Sequence, residues 1–280
     1  MNRIDLKVLF LTLLTAAFML SGCDDSDNNG SGTLKVTLWG EEFIETGIPA
    51  EEFADGYAIN YHKFLVNIKD IKVAQSGDHP DNDEMFELPA SKIWDVTKKG
   101  PTLLGKKELS AGEYNHTSYK VTQASKDSIA GNASKKDVDF MKKNGYSMYV
   151  EADATDGKIS KHFAWGFKYN ALYDPCKSTG SVKDGKEATV QVTIHGDHLF
   201  YNSAVSHEPD LMFTEIAKAD GDDDGEVTQA ELEGYAIKTL PDYVVPPDRG
   251  DIDNMWEYIS FMATTTGHID GEGGCEIKRN

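Results

Sequence analysis

The chain has 280 residues and a formal net charge of −19, from 47 acidic and 28 basic residues. Such an acidic surface repels nucleic-acid phosphates and gives no electrostatic attraction to anionic lipid, which excludes nucleic acid as a partner. The length is sufficient for one large domain, or two smaller ones, with a hydrophobic core.

The N-terminus has the composition of a secretory signal peptide. A basic start precedes an apolar run over residues 8–20, which is too short to favour a membrane span. The run ends in L-S-G-C, a motif that resembles the lipobox of bacterial lipoproteins. The resemblance implies that residues 1–22 are removed and that Cys23 becomes the lipid attachment site. The alternatives are an ordinary signal peptide and a short membrane anchor.

Residues 23–32 are polar and contain Asp, Asn, Gly and Ser without apolar side chains. This composition predicts a flexible tether between the lipid and the folded part of the chain. We therefore expect a location in the bacterial cell envelope, where the N-terminal lipid makes the membrane contact.

Alternating apolar and polar residues dominate residues 33–205. Leu34, Val36 and Leu38 in the first run are each separated by one residue, as in a strand with one buried face. Similar runs follow, separated by turns rich in Gly, Asp, Pro and Ser. The pattern predicts a mostly β fold of the α+β class, built on an antiparallel β-sandwich of about seven to nine strands.

Local features refine this prediction. The alternation changes phase near His62 and Lys63, which predicts a β-bulge or a strand that changes sheets. The dipeptide Asp156-Gly157 predicts a hairpin turn. An aromatic stripe follows on one face of the returning strand and is predicted to lie in the core. The stripe consists of Phe163, Trp165, Phe167 and Tyr169.

Two segments resemble the methanobactin-associated periplasmic protein family. They are the strand pattern over residues 61–71 and the stretch F-A-W-G-F at 163–167, which leads to Tyr173 and Cys176. The resemblance implies an exported, tryptophan-bearing sandwich that is linked to copper handling.

The sequence H-G-D-H at 195–198 offers an alternative metal site, for copper or zinc. On a regular strand, His195 and His198 would face opposite sides and could share a metal only if Gly196 formed a bulge. Otherwise they are ordinary polar residues at a strand end. Further candidate ligands are His207, His162 and His116.

Residues 220–231 have the spacing of an EF-hand calcium loop and resemble that motif at every ligand position. Ca²⁺ prefers oxygen ligands, and alternate aspartates in a tight coil can converge on one point. Gly225 permits the sharp turn. The predicted ligands are the side chains of Asp220, Asp222, Asp224 and Glu231 and the backbone carbonyl of Glu226.

Apolar residues at helical spacing flank this loop over 211–219 and 230–240, and predict a helix-loop-helix. The alternative is a solvated acidic turn in which Thr228 and Glu231 form a capping box, but that alternative does not explain the aligned aspartates. No second loop qualifies as a partner. We therefore expect a structural calcium site, with a Kd on the order of 10⁻⁴–10⁻³ M, in a helical module over 206–280 that ends in a tail.

The cysteines complete the assignment. With Cys23 assigned to lipid, Cys176 and Cys275 remain, and in an exported protein they predict a disulfide. The alternative is a thiol pair for metal or redox chemistry, but it lacks the C-x-x-C spacing.

The sequence has none of the common catalytic motifs, such as G-x-S-x-G, H-E-x-x-H or a P-loop. We therefore predict a lipid-anchored envelope protein that is not an enzyme, binds Ca²⁺ and has a binding or surface-assembly role. One alternative is a copper or zinc protein that uses His195 and His198. A second is a hydrolase of envelope polymer that uses paired carboxylates.

Overall fold

The computed structural model describes residues 30–75 and 84–279. Cys23 and the predicted signal peptide lie outside these residues. The described chain is mostly β. Its strands are β1 (Ser31–Trp39), β2 (Ala58–Ala74), β3 (Phe86–Leu88), β4 (Lys92–Asp95), β5 (Thr102–Ser110), β6 (Gly112–Val121), β7 (Ile129–Ala130), β8 (Met148–Thr155), β9 (Ser160–Phe167), β10 (Ala171–Val182), β11 (Glu187–Ile194), β12 (Gly267–Ile269) and β13 (Cys275–Arg279). Its α-helices are α1 (Glu41–Thr46), α2 (Lys135–Asn144), α3 (Thr214–Lys218), α4 (Gln229–Gly234) and α5 (Met255–Ala263).

The strands form two sheets. The smaller sheet has the order β12-β11-β1-β5, and the larger has the order β13-β10-β6-β2-β4-β7, with β3 and the β8–β9 hairpin paired to the long strand β2. Most neighbours are antiparallel, but β1 pairs with β11, and β4 with β7, in parallel. The predicted antiparallel arrangement therefore holds for most neighbouring strands and fails at these two pairs. Alternation along a strand is the same whichever way its neighbour runs, so it carries no information on direction.

One hydrophobic cluster spans both sheets. Gly180 on β10 approaches Val190 on β11 so closely that a Cβ atom would meet the valine side chain at 2.7 Å. Phe163 and Trp165 are fully buried in this cluster. Phe167 is buried as well, and half-buried Tyr169 packs against the same cluster, so the predicted core position of the aromatic stripe is confirmed.

The predicted irregularities are also present. The pairing of β2 with β8 shifts register between Tyr61 and Lys63, which confirms the predicted bulge. Strands β8 and β9 form the predicted hairpin. At its turn, Gly157 has a φ of 84°, and the Asp156 carboxylate accepts hydrogen bonds from the N–H groups of Lys158 and Ile159. This combination of an aspartate and a left-handed glycine is typical of tight turns.

The helices beside the predicted calcium loop are shorter than the sequence suggests. Helix α3 covers only five residues and α4 only six. The reason lies in the flanking backbone, because Leu211 forms β-bridges to Phe53 and Tyr201, and Ala236 forms one to Asn254. Backbone groups that take part in such bridges cannot also extend a helix.

The C-terminal segment also differs from the predicted helical module with a tail. It contributes β12 to one sheet and β13 to the other, so both sheets extend beyond the predicted boundary at residue 205. Cys176 on β10 and Cys275 on β13 form a disulfide with a Cα–Cα distance of 4.1 Å, as the sequence predicts. Among residues 30–75 and 84–279, no helix is long and apolar enough to span a bilayer.

Candidate metal centres

The acidic loop lies between α3 and α4 and is attached to strand β9. The N–H of His162 donates to the carbonyl of Gly225 at 2.8 Å, and the N–H of Val227 donates to the carbonyl of His162 at 2.8 Å. The indole Nε1 of Trp165 donates to the carbonyl of Val227 at 2.9 Å. These bonds use the backbone on either side of Glu226, so they do not engage the Glu226 carbonyl that the sequence predicts as a ligand.

Three of the predicted ligand side chains meet. Asp220, Asp222 and Glu231 each place one carboxylate oxygen within 4.8 Å of the others. Glu231 reaches back from α4, and its Oε1 accepts a hydrogen bond from the N–H of Gly221 at 3.1 Å. Carboxylate oxygens from alternate loop residues and from the following helix are among the ligands that Ca²⁺ takes in such loops.

The first aspartate orders the turn. Oδ2 of Asp220 accepts from the N–H of Gly225 at 3.0 Å, and its Oδ1 accepts from the N–H of Asp224 at 3.2 Å. Gly225 has a φ of 90°, a conformation that favours glycine at the sharp bend. Asp224 lies outside the converging group, because its Oδ1 accepts from the N–H of Glu226 at 2.8 Å.

The capping box that was the alternative to a calcium loop is present. The side-chain oxygen of Thr228 accepts from the N–H of Glu231 at 3.3 Å, and Oε2 of Glu231 accepts from the N–H of Thr228 at 2.8 Å. The two arrangements coexist, since Oε2 caps the helix while Oε1 lies in the loop.

A buried lysine that the sequence analysis missed contacts this loop. Nζ of Lys161, on β9, donates to Oδ2 of Asp220 at 2.5 Å and to Oδ1 of Asp223 at 3.2 Å. Only 6% of Lys161 is exposed. The hydrogen bond from Lys161 lowers the pKa of the Asp220 carboxyl, and the same bond raises the pKa of the lysine. Lys161 therefore keeps Asp220 ionised and balances part of the loop charge.

The histidines of the H-G-D-H sequence meet at the end of β11. The strand stops at Ile194, Gly196 has helical angles of −75° and −28°, and a 3₁₀ turn follows over Asp197–Phe200. The ring centroids of His195 and His198 are consequently 5.4 Å apart. The opposite-face argument fails because the chain has left the strand conformation, and a turn rather than a bulge brings the two rings together.

A third histidine, His268 on β12, completes the cluster. Its ring centroid is 4.3 Å from that of His195 and 4.9 Å from that of His198. Its Nδ1 is buried and has no hydrogen-bond partner among the described residues. Sequence alternation gave no signal for His268, because β12 is only three residues long.

The other predicted histidine ligands lie elsewhere. His116 pairs with Asp174 at 2.9 Å, and His207 is exposed in a loop. His162 pairs with Asp153 at 2.8 Å, and His62 joins them in a second, more exposed group. Among the candidate ligands of the alternative copper or zinc site, His195 and His198 therefore lie together, and the three possible further ligands do not join them.

The histidine cluster predicts a pH-dependent stability. Burial, with smaller contributions from His268 and His195, lowers the pKa of His198 to about 3. Burial and His195 lower the pKa of His268 to about 4. In the unfolded chain both histidines have an ordinary pKa near 6.5. Between that pH and about 4, the unfolded chain therefore binds protons at these histidines that the folded chain does not bind. The contribution of these histidines to the free energy of unfolding is complete above pH 6.5 and is lost as the pH falls through this window.

Thermal melts with EDTA at several pH values test this expectation. We expect the melting temperature to decrease from pH 7 to about pH 4.5 and the His198→Gln variant to show a smaller decrease. The variant His207→Gln, at an exposed position, should follow the wild type. Parallel pH profiles for wild type and His198→Gln would contradict the assignment.

Comparison of the chain with protein-family models, curated proteins and solved structures finds no match.

Proposed function

We propose that this protein is a lipid-anchored component of the bacterial cell envelope that binds one structural Ca²⁺ through residues 220–231. In this proposal a β-sandwich carries a single EF-hand-like helix-loop-helix and has a binding or surface-assembly role. The observation that carries the calcium assignment is the convergence of oxygens from Asp220, Asp222 and Glu231 within 4.8 Å. The lipid anchor is supported by the lipobox pattern that ends at Cys23.

The charge of the loop supports a cation. Carboxylates whose oxygens lie within 4.8 Å of one another repel, and a divalent ion at their centre removes that repulsion. Lys161 is the lysine that contacts them, through Asp220 and Asp223. The acidic residues of the loop are Asp220, Asp222, Asp223, Asp224, Glu226 and Glu231.

The attachment of the loop supports a structural role for the ion. Val227 is buried, and its backbone is bonded to two residues of β9: its N–H donates to the carbonyl of His162, and its carbonyl accepts from the indole of Trp165. Ile216 of α3 and Leu232 of α4 are also buried in the shared core. An ion that orders this loop therefore stabilises the contact between the helices and the sheet. This role differs from that of calcium-sensor EF-hands, in which the ion opens a pair of helices and exposes a hydrophobic groove.

Thermal unfolding with calcium or with a chelator tests the proposal. For a Kd on the order of 10⁻⁴–10⁻³ M, about 10 mM calcium contributes roughly 1.4–2.7 kcal/mol. For a chain of this size, that corresponds to an increase in melting temperature of roughly 3–10 °C over the chelated protein. The variants Asp220→Ala and Glu231→Gln should lose this increase.

The matched control is Glu233→Gln, which changes an exposed carboxylate on the same helix. It should retain the calcium-dependent increase. A wild-type melt that is insensitive to chelator would overturn the calcium assignment.

A further inference from the structure

The cluster of His195, His198 and His268 is separate from the calcium loop. It is built by the end of β11, the following 3₁₀ turn and β12. Two sets of three residues each have potential ligand atoms that lie within 4.8 Å of one another inside the set, and both sets include His195. One set adds Asp197 and His198, and the other adds His268 and Glu272. Nitrogen from imidazole suits transition metals and not Ca²⁺, which takes oxygen.

The hydrogen bonds of the rings leave nitrogens available within the cluster. Nδ1 of His198 bonds to the Thr265 hydroxyl at 3.0 Å, and Nε2 of His195 bonds to the carbonyl of Gly271 at 3.3 Å. Metal-binding histidines are typically oriented by one such bond while the other ring nitrogen binds the ion. Nδ1 of His268 is buried without a partner among the described residues, which is costly for a polar atom.

Carboxylates approach the same cluster from two sides. Oε1 of Glu41 is 3.4 Å from Nε2 of His195, and Oε1 of Glu272 is 3.8 Å from its Nδ1. Glu41 has a φ of 57° although it is not glycine, and strained backbone of this kind concentrates at functional positions. The side chain of Glu272 is 84% exposed, so an ion can reach the cluster from solvent on that side.

The turn that carries Glu272 is fixed in place. The carboxylate of Asp270 accepts from the N–H of Thr179 at 2.7 Å and from the N–H of Gln191 at 2.7 Å. Gly271 has a φ of 80°, and the backbones of Ile269 and Gly273 bond to each other in both directions. A turn anchored to both sheets holds its carboxylate near the histidines before any ion arrives, which lowers the cost of binding.

We propose that His195, His268 and the Glu272 carboxylate bind a divalent transition-metal ion, Zn²⁺ or Cu²⁺, beside the ring of His198. Two imidazoles and one carboxylate, with a further position open to solvent, match the ligand preferences of both ions. Cys176 and Cys275 are joined in the disulfide, so the ligand set contains no thiolate from them.

Metal titration of the full chain tests the site independently of the calcium loop. The protein is treated with EDTA, returned to buffer with saturating calcium, and titrated with ZnCl₂ or CuCl₂ by calorimetry, with metal analysis after desalting. We expect one ion per chain, with copper tighter than zinc. His268→Gln should weaken binding by more than about tenfold, since even the loss of an orienting group costs that much.

Two further variants separate metal binding from folding. Glu272→Gln changes an exposed side chain, so it should reduce metal affinity without changing the melting temperature in EDTA. His116→Gln, at a half-exposed ring paired with Asp174, should bind metal as the wild type does. The calcium-loop variant Glu231→Gln should also retain the transition metal.

Co²⁺ can be used in place of Zn²⁺ as a spectroscopic probe of the site. The Co²⁺ complex of the wild type should show the intense visible absorption of a four-coordinate site, and His268→Gln should lose this absorption. Failure of the wild type to retain stoichiometric zinc or copper would overturn the proposal. Retention that is unchanged in His268→Gln and His195→Gln would overturn it as well, whatever the calcium experiments show.

Discussion

Replacing Trp165 with alanine is expected to lower the free energy of unfolding by about 3–5 kcal/mol. The side chain is fully buried, and its ring lies 4.0 Å from that of Phe163 between centroids. It also donates to the carbonyl of Val227 in the acidic loop. The substitution therefore removes core packing and one attachment of the loop together. Chemical denaturation of both proteins, at the same calcium concentration, measures the difference.

Two matched variants separate these contributions. Trp165→Phe keeps most of the ring but leaves the buried Val227 carbonyl without its donor, at a cost of about 1–3 kcal/mol. Trp39→Ala removes a tryptophan that is only half-buried on β1 and should cost less than Trp165→Ala. If Trp165→Ala unfolds at the wild-type denaturant concentration, the assignment of this ring to the centre of the core is wrong.

Replacing Lys161 with methionine is expected to have opposite effects on stability and on calcium affinity. Without the ammonium, the carboxylates of Asp220, Asp222 and Glu231 face each other with less compensating charge. The calcium-free protein is therefore destabilised, while bound Ca²⁺ supplies the missing charge and limits the loss. By thermodynamic linkage, the variant should bind calcium more tightly, by about tenfold.

Melting temperatures of Lys161→Met with calcium and with chelator, together with a calcium titration, test this expectation. The control is Lys158→Met, which changes an exposed lysine in the adjacent hairpin turn and should leave both quantities unchanged. An equal loss of stability in both conditions, or weaker calcium binding, would show that Lys161 does not compensate the loop charge.

Features determined by neighbouring residues were predictable from the sequence. The bulge between Tyr61 and Lys63 changes the phase of alternation, and the hairpin at Asp156 follows from turn chemistry. The convergence of Asp220 and Glu231 is likewise encoded within one short segment, because the loop geometry fixes where each position points. Apolar alternation identified Trp165 as a core residue for the same reason.

Features that join distant segments were not predictable in this way. The sequence around Lys161 predicts only an ordinary lysine in a strand. The packing of the acidic loop against β9 is what buries it beside Asp220. His268 and Glu272 reach His195 because β12 pairs with β11, a contact between segments that share no local pattern. The prediction for His195 and His198 assumed a continued strand, whereas the chain turns at Gly196.

Gly196 illustrates how tertiary packing determines this turn. A Cβ atom there would meet the Ile44 side chain at 2.7 Å and the Tyr61 hydroxyl at 2.8 Å. The hydroxyl of Tyr61 donates to the Gly196 carbonyl at 2.9 Å. The turn therefore depends on close contacts with α1 and β2, which a sequence pattern at 195–198 does not contain.

The most direct test of the calcium assignment is a calcium titration of the full chain with ¹⁵N-labelled glycine, followed by NMR. The N–H of Gly225 donates to Asp220 inside the loop at 3.0 Å, so ion binding at Asp220 must change its resonance. We predict a saturable shift of the Gly225 signal with a Kd on the order of 10⁻⁴–10⁻³ M, absent in Glu231→Gln, while the exposed turn residue Gly157 stays constant. A Gly225 signal that does not move at saturating calcium, or that moves equally in Glu231→Gln, would contradict the assignment.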